Sequence, residues 1–474
     1  MRRTRIVALA LALLPAGGCL LGPDYERRPV ETPATWLEQA PPGEVPEPAA
    51  GFALFADPAL DELIATAFAR NLDLAAAWWR IEQARAQLGV ARAEAYPSFG
   101  YSASASGTEP SELVAPNAGT VEDYTAALGV AWEIDLFGRL RRSTEAARAE
   151  LLASEEGRRA LALTLAASVA DTYFTLLALD DQLAIAQRTL AGRRDSTSLI
   201  RSRFEGGIAS ELEVHQAEIE EATAESAVPQ IERARGRAET ALRLLLAQPP
   251  GPIVRGTPLA ERPLPPDVPV GLPSDLLERR PDVLAAEASA HAATARVGAA
   301  EALRWPSISL TGAVGVESPE LSDLTSGDAS FWNLAGNLVG PLFEFGKNKR
   351  RAEAARAAAE QAVLAWQQAA LASFRDVEDA LVDLRTSRLE QAARERQAGS
   401  ANAAVRLSRA RYDGGVTSYL EVLDLERSQF NAELQESSAR QATFASLVRL
   451  LKALGGGWAA PAPVSAREAS GSEN

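Results

Sequence analysis

The sequence of 474 residues is poor in the side chains that most often carry chemistry, with one cysteine and two histidines. Because Cys19 is alone, no disulfide can form within the chain. His215 and His291 lie far apart in predicted helices, so we expect neither a histidine metal site nor a Ser-His-Asp triad. The Gly-Gly pairs lack the lysine of a phosphate-binding loop. The sequence therefore predicts no enzyme, no metal and no bound cofactor.

Positive charge and long apolar runs are also scarce. A total of 48 Lys and Arg against 63 Asp and Glu gives a formal net charge of −15, which disfavours nucleic acid or anionic lipid as a partner. Outside the first line we find no apolar run of the roughly 18 residues that a membrane-spanning helix needs. If the chain crosses a bilayer, we predict that it does so with strands.

The amino-terminal end has the layout of a secretory signal, with a basic start, an apolar run from Ile6 to Leu14 and small residues before Cys19. We predict a signal peptide over residues 1–18 and Cys19 as the lipidated first residue of the mature chain, carrying palmitate or another acyl group. The alternative is a small-residue cleavage site with an incidental cysteine. Export is expected in either case.

The sequence contains a long internal repeat. The stretch "RFEGGIASELEV" from Arg203 returns 208 residues later as "RYDGGVTSYLEV" from Arg411, and flanking segments match at a similar offset. A Pro-rich stretch between the copies cannot persist as a helix or a central strand and predicts a linker. The predicted divisions are an extended segment 19–57, a first repeat 58–250, a linker 251–274, a second repeat 275–455 and a flexible tail 456–474.

Each repeat contains two segments with period-two alternation, which predicts strands. They are "FGYSASAS" and "YTAALGVAWEID" in the first copy, and "SISLTGAVGV" and "FWNLAGNLVG" in the second. One face is apolar and the other small and polar, as suits a strand between lipid and a watery lumen. Glu133 and Asp135 lie on the polar face and are predicted to face that lumen. A half-buried sheet of a soluble protein is the alternative.

Long helical segments follow the strands. Arg139 to Arg203 and Lys347 to Arg411 each predict a helix of about 65 residues, roughly 100 Å long. Shorter helices, Pro58 to Ala95 and Glu211 to Ala247, are expected to stack as a second column. Between the columns, Gly supplies the positive φ of a tight reversal, and a Ser with a Glu three residues later forms a capping box. The predicted hairpin-tip residues are Gly206, Gly207, Ser210, Gly414, Gly415 and Ser418, with Glu213 and Glu421 completing the two boxes.

Four strands cannot close a barrel, and an open sheet edge in lipid leaves backbone groups unpaired at several kcal/mol each. Two chains give eight strands and an interior filled by side chains, whereas three give twelve and a water-filled lumen. The small inward residues favour a homotrimer. The predicted fold class is an α+β membrane protein, with four strands and long coiled-coil helices in each chain.

An ordered set of motifs resembles the TolC-like outer-membrane factors, in the OprM- and NodT-type lipoprotein branch. The motifs are "CLLGPDYERRP", "WEIDLFGRLRR", "GLPSDLLERRPDV", "GPLFEFGKNKR" and "RYDGGVTSYLEVLDLERSQF". The resemblance implies a trimeric twelve-stranded β-barrel continued by a periplasmic α-helical barrel, in the outer membrane of a Gram-negative bacterium. It further implies the exit duct of a tripartite efflux pump for drugs or toxic compounds, with a periplasmic adaptor docking at the hairpin tips and an inner-membrane transporter of the resistance-nodulation-division type.

The resemblance also implies a periplasmic gate just after the second tip. The matching acids are Glu421 and Asp424, which lie three residues apart and so on one helix face. Arg411 and Arg409 are expected to pair with them in the closed state. The alternative is that Glu421 only caps its helix and Asp424 lies on a solvated face.

Two other functions are considered for this architecture. One is a non-conducting coiled-coil scaffold lipoprotein at the outer membrane, which the amphipathic strands in both repeats disfavour. The other is a duct for protein secretion, which the lipid-anchored branch of the resemblance disfavours. A conductance measurement separates a duct from a scaffold.

Overall fold

The computed structural model describes residues 19–38, 53–111, 113–116, 119–264 and 267–456. The predicted signal peptide and all but the first residue of the predicted tail lie outside the described residues. The chain divides into two compact units, and each unit takes segments from both repeats. Of the residues that the structure describes, those within Met1–Pro29, Trp79–Glu155 and Ala285–Gln367 form the strand unit, and those within Val30–Trp78, Glu156–Leu284 and Gln368–Asn474 form the helical unit.

Eight α-helices and four strands are found in the described part of the chain. The helices are α1 Pro58–Arg70, α2 Leu72–Ala93, α3 Arg139–Glu205, α4 Glu211–Leu245, α5 Leu276–Arg279, α6 Pro281–Ala302, α7 Lys347–Asp413 and α8 Tyr419–Ala453. The strands are β1 Ser98–Thr108, β2 Val121–Ile134, β3 Ser307–Ser318 and β4 Ser330–Val339. The repeat is reproduced closely, because α6 lies 209 residues after α2, while α7 and α8 lie 208 residues after α3 and α4.

The predicted continuous helix from Pro58 to Ala95 is wrong, because the chain breaks at Asn71. This residue has an extended ψ of 127° and ends α1. Its side-chain oxygen accepts a hydrogen bond from the Leu74 backbone N–H at 3.0 Å, and its amide donates to the Leu245 carbonyl at 3.0 Å. Asn71 thus caps the next helix in the way that short polar side chains compete with helix continuation.

The four strands form one antiparallel sheet in the order β1-β2-β3-β4. Tyr101 lies opposite Leu128, Leu128 opposite Val314, and Val314 opposite Trp332, so one apolar row crosses all four strands. Every residue of β1 and all but one of β4 are exposed. The sheet therefore covers no core of its own, and β1 and β4 keep unpaired edges within the chain.

The helical unit has the principal hydrophobic core. Phe174 of α3 lies between Phe55 and Phe444, with a ring-centroid distance of 4.8 Å to each, and all three side chains are buried. By length and composition, α3 also passes as a membrane-spanning helix, contrary to the expectation that no such segment exists outside the signal. Since 61% of its apolar window is buried within the protein, a core helix accounts for this composition.

In the strand unit, the segment directly after Cys19 is held by specific contacts, and we call residues 20–28 the strap. Buried Arg142 donates to the carbonyl of Leu21 at 3.0 Å and to the Asp24 carboxylate at 2.8 Å. Gly22 has a φ of +85° and packs so closely on Gly298 that a Cβ on Gly22 comes within 2.4 Å of the Gly298 Cα. Because only glycine fits this approach, the path of the strap is fixed.

Both histidines lie in helices, as predicted, and each contacts a carboxylate. His291 Nε2 lies 3.0 Å from Glu145, and its ring stacks on that of Tyr25 in the strap at 4.9 Å. His215 Nδ1 lies 3.1 Å from Glu218 on an exposed face of α4. These contacts give His291 a packing role beside the strap.

Candidate gate at the tips of the two helical hairpins

The two hairpins, α3–α4 and α7–α8, reverse through the same backbone geometry. Gly207 has a φ of +73° and Gly415 a φ of +70°. The N–H of Ile208 donates to the Arg203 carbonyl at 2.8 Å, and the N–H of Val416 donates to the Arg411 carbonyl at 2.9 Å. These are the six-to-one bonds of a Schellman motif, in which glycine takes the left-handed position.

The helix caps after the two tips differ. Ser210 and Glu213 form the predicted capping box, with the Ser210 N–H donating to the Glu213 carboxylate at 2.7 Å. Ser418 lies at the equivalent position, but its side chain makes no capping hydrogen bond. The predicted second capping box is therefore wrong, because Glu421 uses its carboxylate elsewhere.

The carboxylate of Glu421 pairs with the guanidinium of Arg411 at 3.3 Å and accepts a hydrogen bond from the Thr417 hydroxyl. Asp424 is exposed one turn further along α8, and its carboxylate makes no ion pair with any described residue. One predicted pair is thus present, and one acid is left open to solvent.

Arg409 does not reach either predicted acid. Its guanidinium pairs instead with Glu426 at 2.6 Å. Glu426 is the centre of a group that we call the buried charge cluster, consisting of Arg193, Glu220, Arg409, Glu426 and Arg427. Arg193 is 5% exposed and contacts the carboxylates of Glu426 and, at 3.6 Å, Glu220, each of which is 4% exposed.

The buried charge cluster links all four helices of the two hairpins. Arg193 lies on α3, Glu220 on α4, Arg409 on α7, and Glu426 on α8. Arg409 and Arg427 approach the two carboxylates from the half-exposed side. Each buried carboxylate thus has one buried and one partly exposed arginine, which is the pairing that a charge away from water requires.

The sequence contained one signal for this cluster that motif inspection missed. Arg201 pairs with Glu218 at 2.7 Å, and the same two positions one repeat later are Arg409 and Glu426, which pair at 2.6 Å. The pair on the first hairpin is largely exposed, and the hydrogen bond from Arg201, with help from His215, lowers the pKa of Glu218. The Arg409–Glu426 pair of the second hairpin is covered by Arg193 of α3, which contacts Glu426. The residue equivalent to Arg193 one repeat later is Ala401, which has no charge.

The two tips also contact each other within one chain. Arg203 of the first tip lies 5.0 Å above the ring of Tyr412 and 3.4 Å from the Asp413 carboxylate. Tyr412 in turn packs against Tyr419 at 5.4 Å. Burial, reinforced by the carboxylate of Glu426, raises the pKa of Tyr419 to about 12, so its phenol stays neutral. The second tip is therefore braced against the first.

The two strand acids predicted to face a lumen have structural partners. Glu133 in β2 accepts hydrogen bonds from Arg139 at 3.1 and 2.8 Å. Asp135 lies just beyond β2 and accepts a hydrogen bond from the Arg141 backbone N–H at 2.9 Å, at the start of α3. Both acids fix the passage from strand to helix, and a role in the lumen stays a prediction.

A sheet with two open edges, joined to two long hairpins with charged tips, defines a subunit of a channel. The sequence profile described as "Outer membrane efflux protein" matches residues 63–248 and 272–456. The chain therefore belongs to the outer membrane efflux protein family.

Individual relatives match over nearly the whole chain. The outer membrane protein OprJ of Pseudomonas aeruginosa is 36% identical, covering 95% of this chain and 96% of OprJ. The probable outer membrane lipoprotein SilC of Salmonella typhimurium is 31% identical, covering 97% of this chain and all of SilC. The open-state structure of the Neisseria gonorrhoeae MtrE outer membrane channel superposes with a TM-score of 0.84 at 32% identity, covering 93% of this chain and 98% of MtrE.

These likenesses confirm several predictions. The family resemblance and the α+β fold class, with four strands and two long helices per chain, are confirmed. The chain is an efflux channel protein of the outer membrane. The scaffold and secretion alternatives are therefore set aside.

Proposed function

We propose that three copies of this chain form the passive exit duct of a tripartite efflux pump. The observation that supports this is the four-stranded sheet, whose edge strands β1 and β4 are exposed and have no partner strand on their outer sides within the chain. In lipid, unpaired strand edges cost several kcal/mol per backbone group, so the edges must join other copies. Three copies supply twelve strands, enough for a lumen.

The gate of this duct is formed by the second hairpin tip. A threefold axis brings together three copies of Asp424, whose carboxylate is exposed, and three of Glu421. A ring of carboxylates favours cations and repels itself, so closure needs compensating charge. Arg411 supplies that charge for Glu421 at 3.3 Å.

The exposed apolar surfaces at the tips support a periplasmic adaptor as a partner. Ile208 and Val416 are 80% and 72% exposed at equivalent positions of the two tips, as are Leu212 and Leu420 at 66% and 56%. Six such tips in a trimer present a ring of apolar side chains to a periplasmic adaptor. A transporter of the resistance-nodulation-division type supplies the energy.

Cys19, which is exposed directly before the strap, carries the lipid anchor. Exported compounds are small molecules such as drugs or other toxic compounds.

The experiment is single-channel conductance of the purified full chain in a planar bilayer. We compare the native chain with Glu421→Gln/Asp424→Asn, which removes the charge and keeps the side-chain volume. The matched control is Glu213→Gln/Gln216→Ala at the equivalent positions of the first hairpin, where Gln still completes the capping box.

We expect a small, cation-preferring conductance that rises severalfold and loses selectivity in the second-hairpin variant alone. An equal change in the control variant contradicts the assignment of the gate to the second tip. Silence from all three chains, with trimers intact by native mass measurement, contradicts the duct.

A further inference from the structure

A cavity of about 450 Å³ lies within the strand unit, where the two repeats meet. Its wall is formed by the end of β2 and the loop to α3, by the end of α6 and the start of β3, and by the loop from β4 to α7. Pockets for small molecules usually have volumes of about 300–1,000 Å³. The cavity is therefore large enough for a drug-sized compound, and each chain forms it from its own residues.

One negative charge of this cavity is not neutralised by the protein. Its lining contains one guanidinium, that of Arg139, and the three carboxylates of Glu133, Asp135 and Glu344. Arg139 neutralises Glu133 through hydrogen bonds of 3.1 and 2.8 Å, and Arg141 pairs with Asp135 at 3.3 Å. Glu344 is half-buried and forms no ion pair with any residue that the structure describes. The balance favours a ligand with a single positive charge.

An aromatic side chain forms another part of the wall. The ring of Trp305 stacks on that of Phe137 at 5.3 Å and 22°, and this contact fixes its orientation. Trp305 is nevertheless 51% exposed, so part of its indole ring remains open to a ligand. Indole is the side chain whose face attracts cations most strongly. A flat aromatic cation can therefore contact both the Trp305 ring and the Glu344 carboxylate that lines the same cavity.

The cavity is held open by contacts that do not involve a ligand. Gly340, just after β4, lies so close to Pro306 that a Cβ on Gly340 comes within 2.9 Å of the proline ring. The side-chain amide of Asn348 in α7 donates to the Leu303 carbonyl at 2.9 Å. Both contacts tie the loop between β4 and α7 to the segment between α6 and β3. A preformed site of this kind binds without a large cost of ordering its walls.

The strand residues of the cavity belong mainly to the polar face of the sheet. Glu133 lies opposite Ser309, and Ser307 lies opposite Val339. Because side chains alternate along a strand, these residues are on the opposite face from the apolar row that crosses the four strands. In the proposed duct, this is the face turned toward the lumen.

We propose that this cavity binds an aromatic organic cation with a single positive charge as it passes through the duct. The positive charge lies at the Glu344 carboxylate, and the ring system lies against Trp305. The inference rests on the proposed function, since the ligand reaches the cavity from the lumen. A bare metal ion fits less well, because no group of three or more His, Cys, Asp or Glu side chains suited to a metal occurs among the described residues.

Equilibrium dialysis of ethidium against the purified full chain in detergent tests the site. Ethidium is a flat aromatic ring system with one positive charge, and phenanthridine is the same ring system without the charge. We expect one saturable ethidium site per chain and much weaker binding of phenanthridine, because only ethidium can pair with Glu344.

Substitutions within the cavity should weaken that binding. Glu344→Gln and Trp305→Leu are each expected to raise the dissociation constant of ethidium about three- to tenfold. Trp305→Phe keeps a ring for the stack on Phe137 and should retain most of the affinity. The matched control is Glu353→Gln, which also removes one negative charge, but Glu353 lies outside the cavity and pairs with Arg350 at 2.7 Å on the surface.

Channel current provides a second measurement that separates this site from the duct. Ethidium added to a planar bilayer should reduce the current through native channels and through Glu353→Gln. The same concentration should reduce it several-fold less in Glu344→Gln, where the binding site is weakened.

Equal effects of Glu344→Gln and Glu353→Gln on ethidium binding, or equal binding of ethidium and phenanthridine, overturn the site. Channels that conduct but bind no ethidium show that the duct stands although the site is wrong. Saturable binding that depends on Glu344, in a chain that forms no conducting channel, supports the site and overturns the proposed function.

Discussion

Arg193→Met is the substitution that most directly tests how the gate hairpins are held together. Arg193 is 5% exposed on α3 and is the buried arginine shared by the carboxylates of Glu220 and Glu426. Methionine keeps an unbranched apolar stem of similar length but removes the guanidinium. Two buried carboxylates then lose the charge between them.

Removing one partner of a buried ion pair typically costs 3–5 kcal/mol, because the remaining charge is left away from water. Here Arg409 and Arg427 still contact the two carboxylates from the half-exposed side. We therefore expect the lower end of that range, about 3 kcal/mol, for the local stability of the hairpin ends. At 1.4 kcal/mol per factor of ten, this corresponds to opening of the hairpin ends about 100-fold more often.

Hydrogen exchange followed by mass spectrometry measures that opening, in peptides that cover the two tips. The neighbouring Arg194→Met is the control, because Arg194 is exposed and pairs with Glu225 at 3.1 Å on the surface, where such pairs contribute about 0–1 kcal/mol. Adding Glu220→Gln and Glu426→Gln to Arg193→Met should restore much of the protection, since no unpaired charge is then buried. Equal exchange in Arg193→Met and Arg194→Met refutes the claim that the cluster locks the hairpins.

In two further predictions, the equivalent residue of the other repeat serves as the control. Ser210→Ala should destabilise the first tip by about 1 kcal/mol, whereas Ser418→Ala should cost much less because its hydroxyl caps nothing, as thermal unfolding of the two variants will show. Gly298→Ala places a Cβ 2.5 Å from the backbone oxygen of Leu21, so the strap must lift and become several-fold more sensitive to trypsin. Gly89→Ala, at the equivalent open position, should change nothing; equal sensitivity of the two variants contradicts the account of the strap.

Much of the fold follows from periodicity and turn chemistry, which are local properties. The bounds of α3 and α7 were predicted to within two residues at each end, because no proline interrupts them and glycine pairs end them. The predicted continuous helix through Asn71 was wrong because the Asn71 side chain caps the next helix and also bonds to a residue that is distant in sequence. Its amide bonds to the Leu245 carbonyl, which lies 174 residues further along the chain.

At the candidate gate, too, contacts between residues of one hairpin were predictable from the sequence, whereas contacts that depend on helix packing were not. Glu421 and Asp424 were found from a motif, and the pairing of Glu421 with Arg411 followed from their closeness in one hairpin. The partner of Arg409 was assigned wrongly because a sequence gives spacing along one helix but not which face a second helix presents. Glu426 lies 17 residues from Arg409 and is therefore further away in sequence than either predicted acid, so packing rather than sequence distance selects it.

The sequence by itself determined the duplicated module, the strands with one apolar face, the length of the helices and the place of each reversal. These depend on side-chain period, on proline and glycine, and on the hydrogen bonds of neighbouring residues. Only the tertiary structure decided that Arg193, an unremarkable arginine in a 67-residue helix, joins both hairpins through two buried carboxylates. Burial changes an ion pair from a weak surface contact to a strong constraint, and burial is a property of the assembled helices that no single segment encodes.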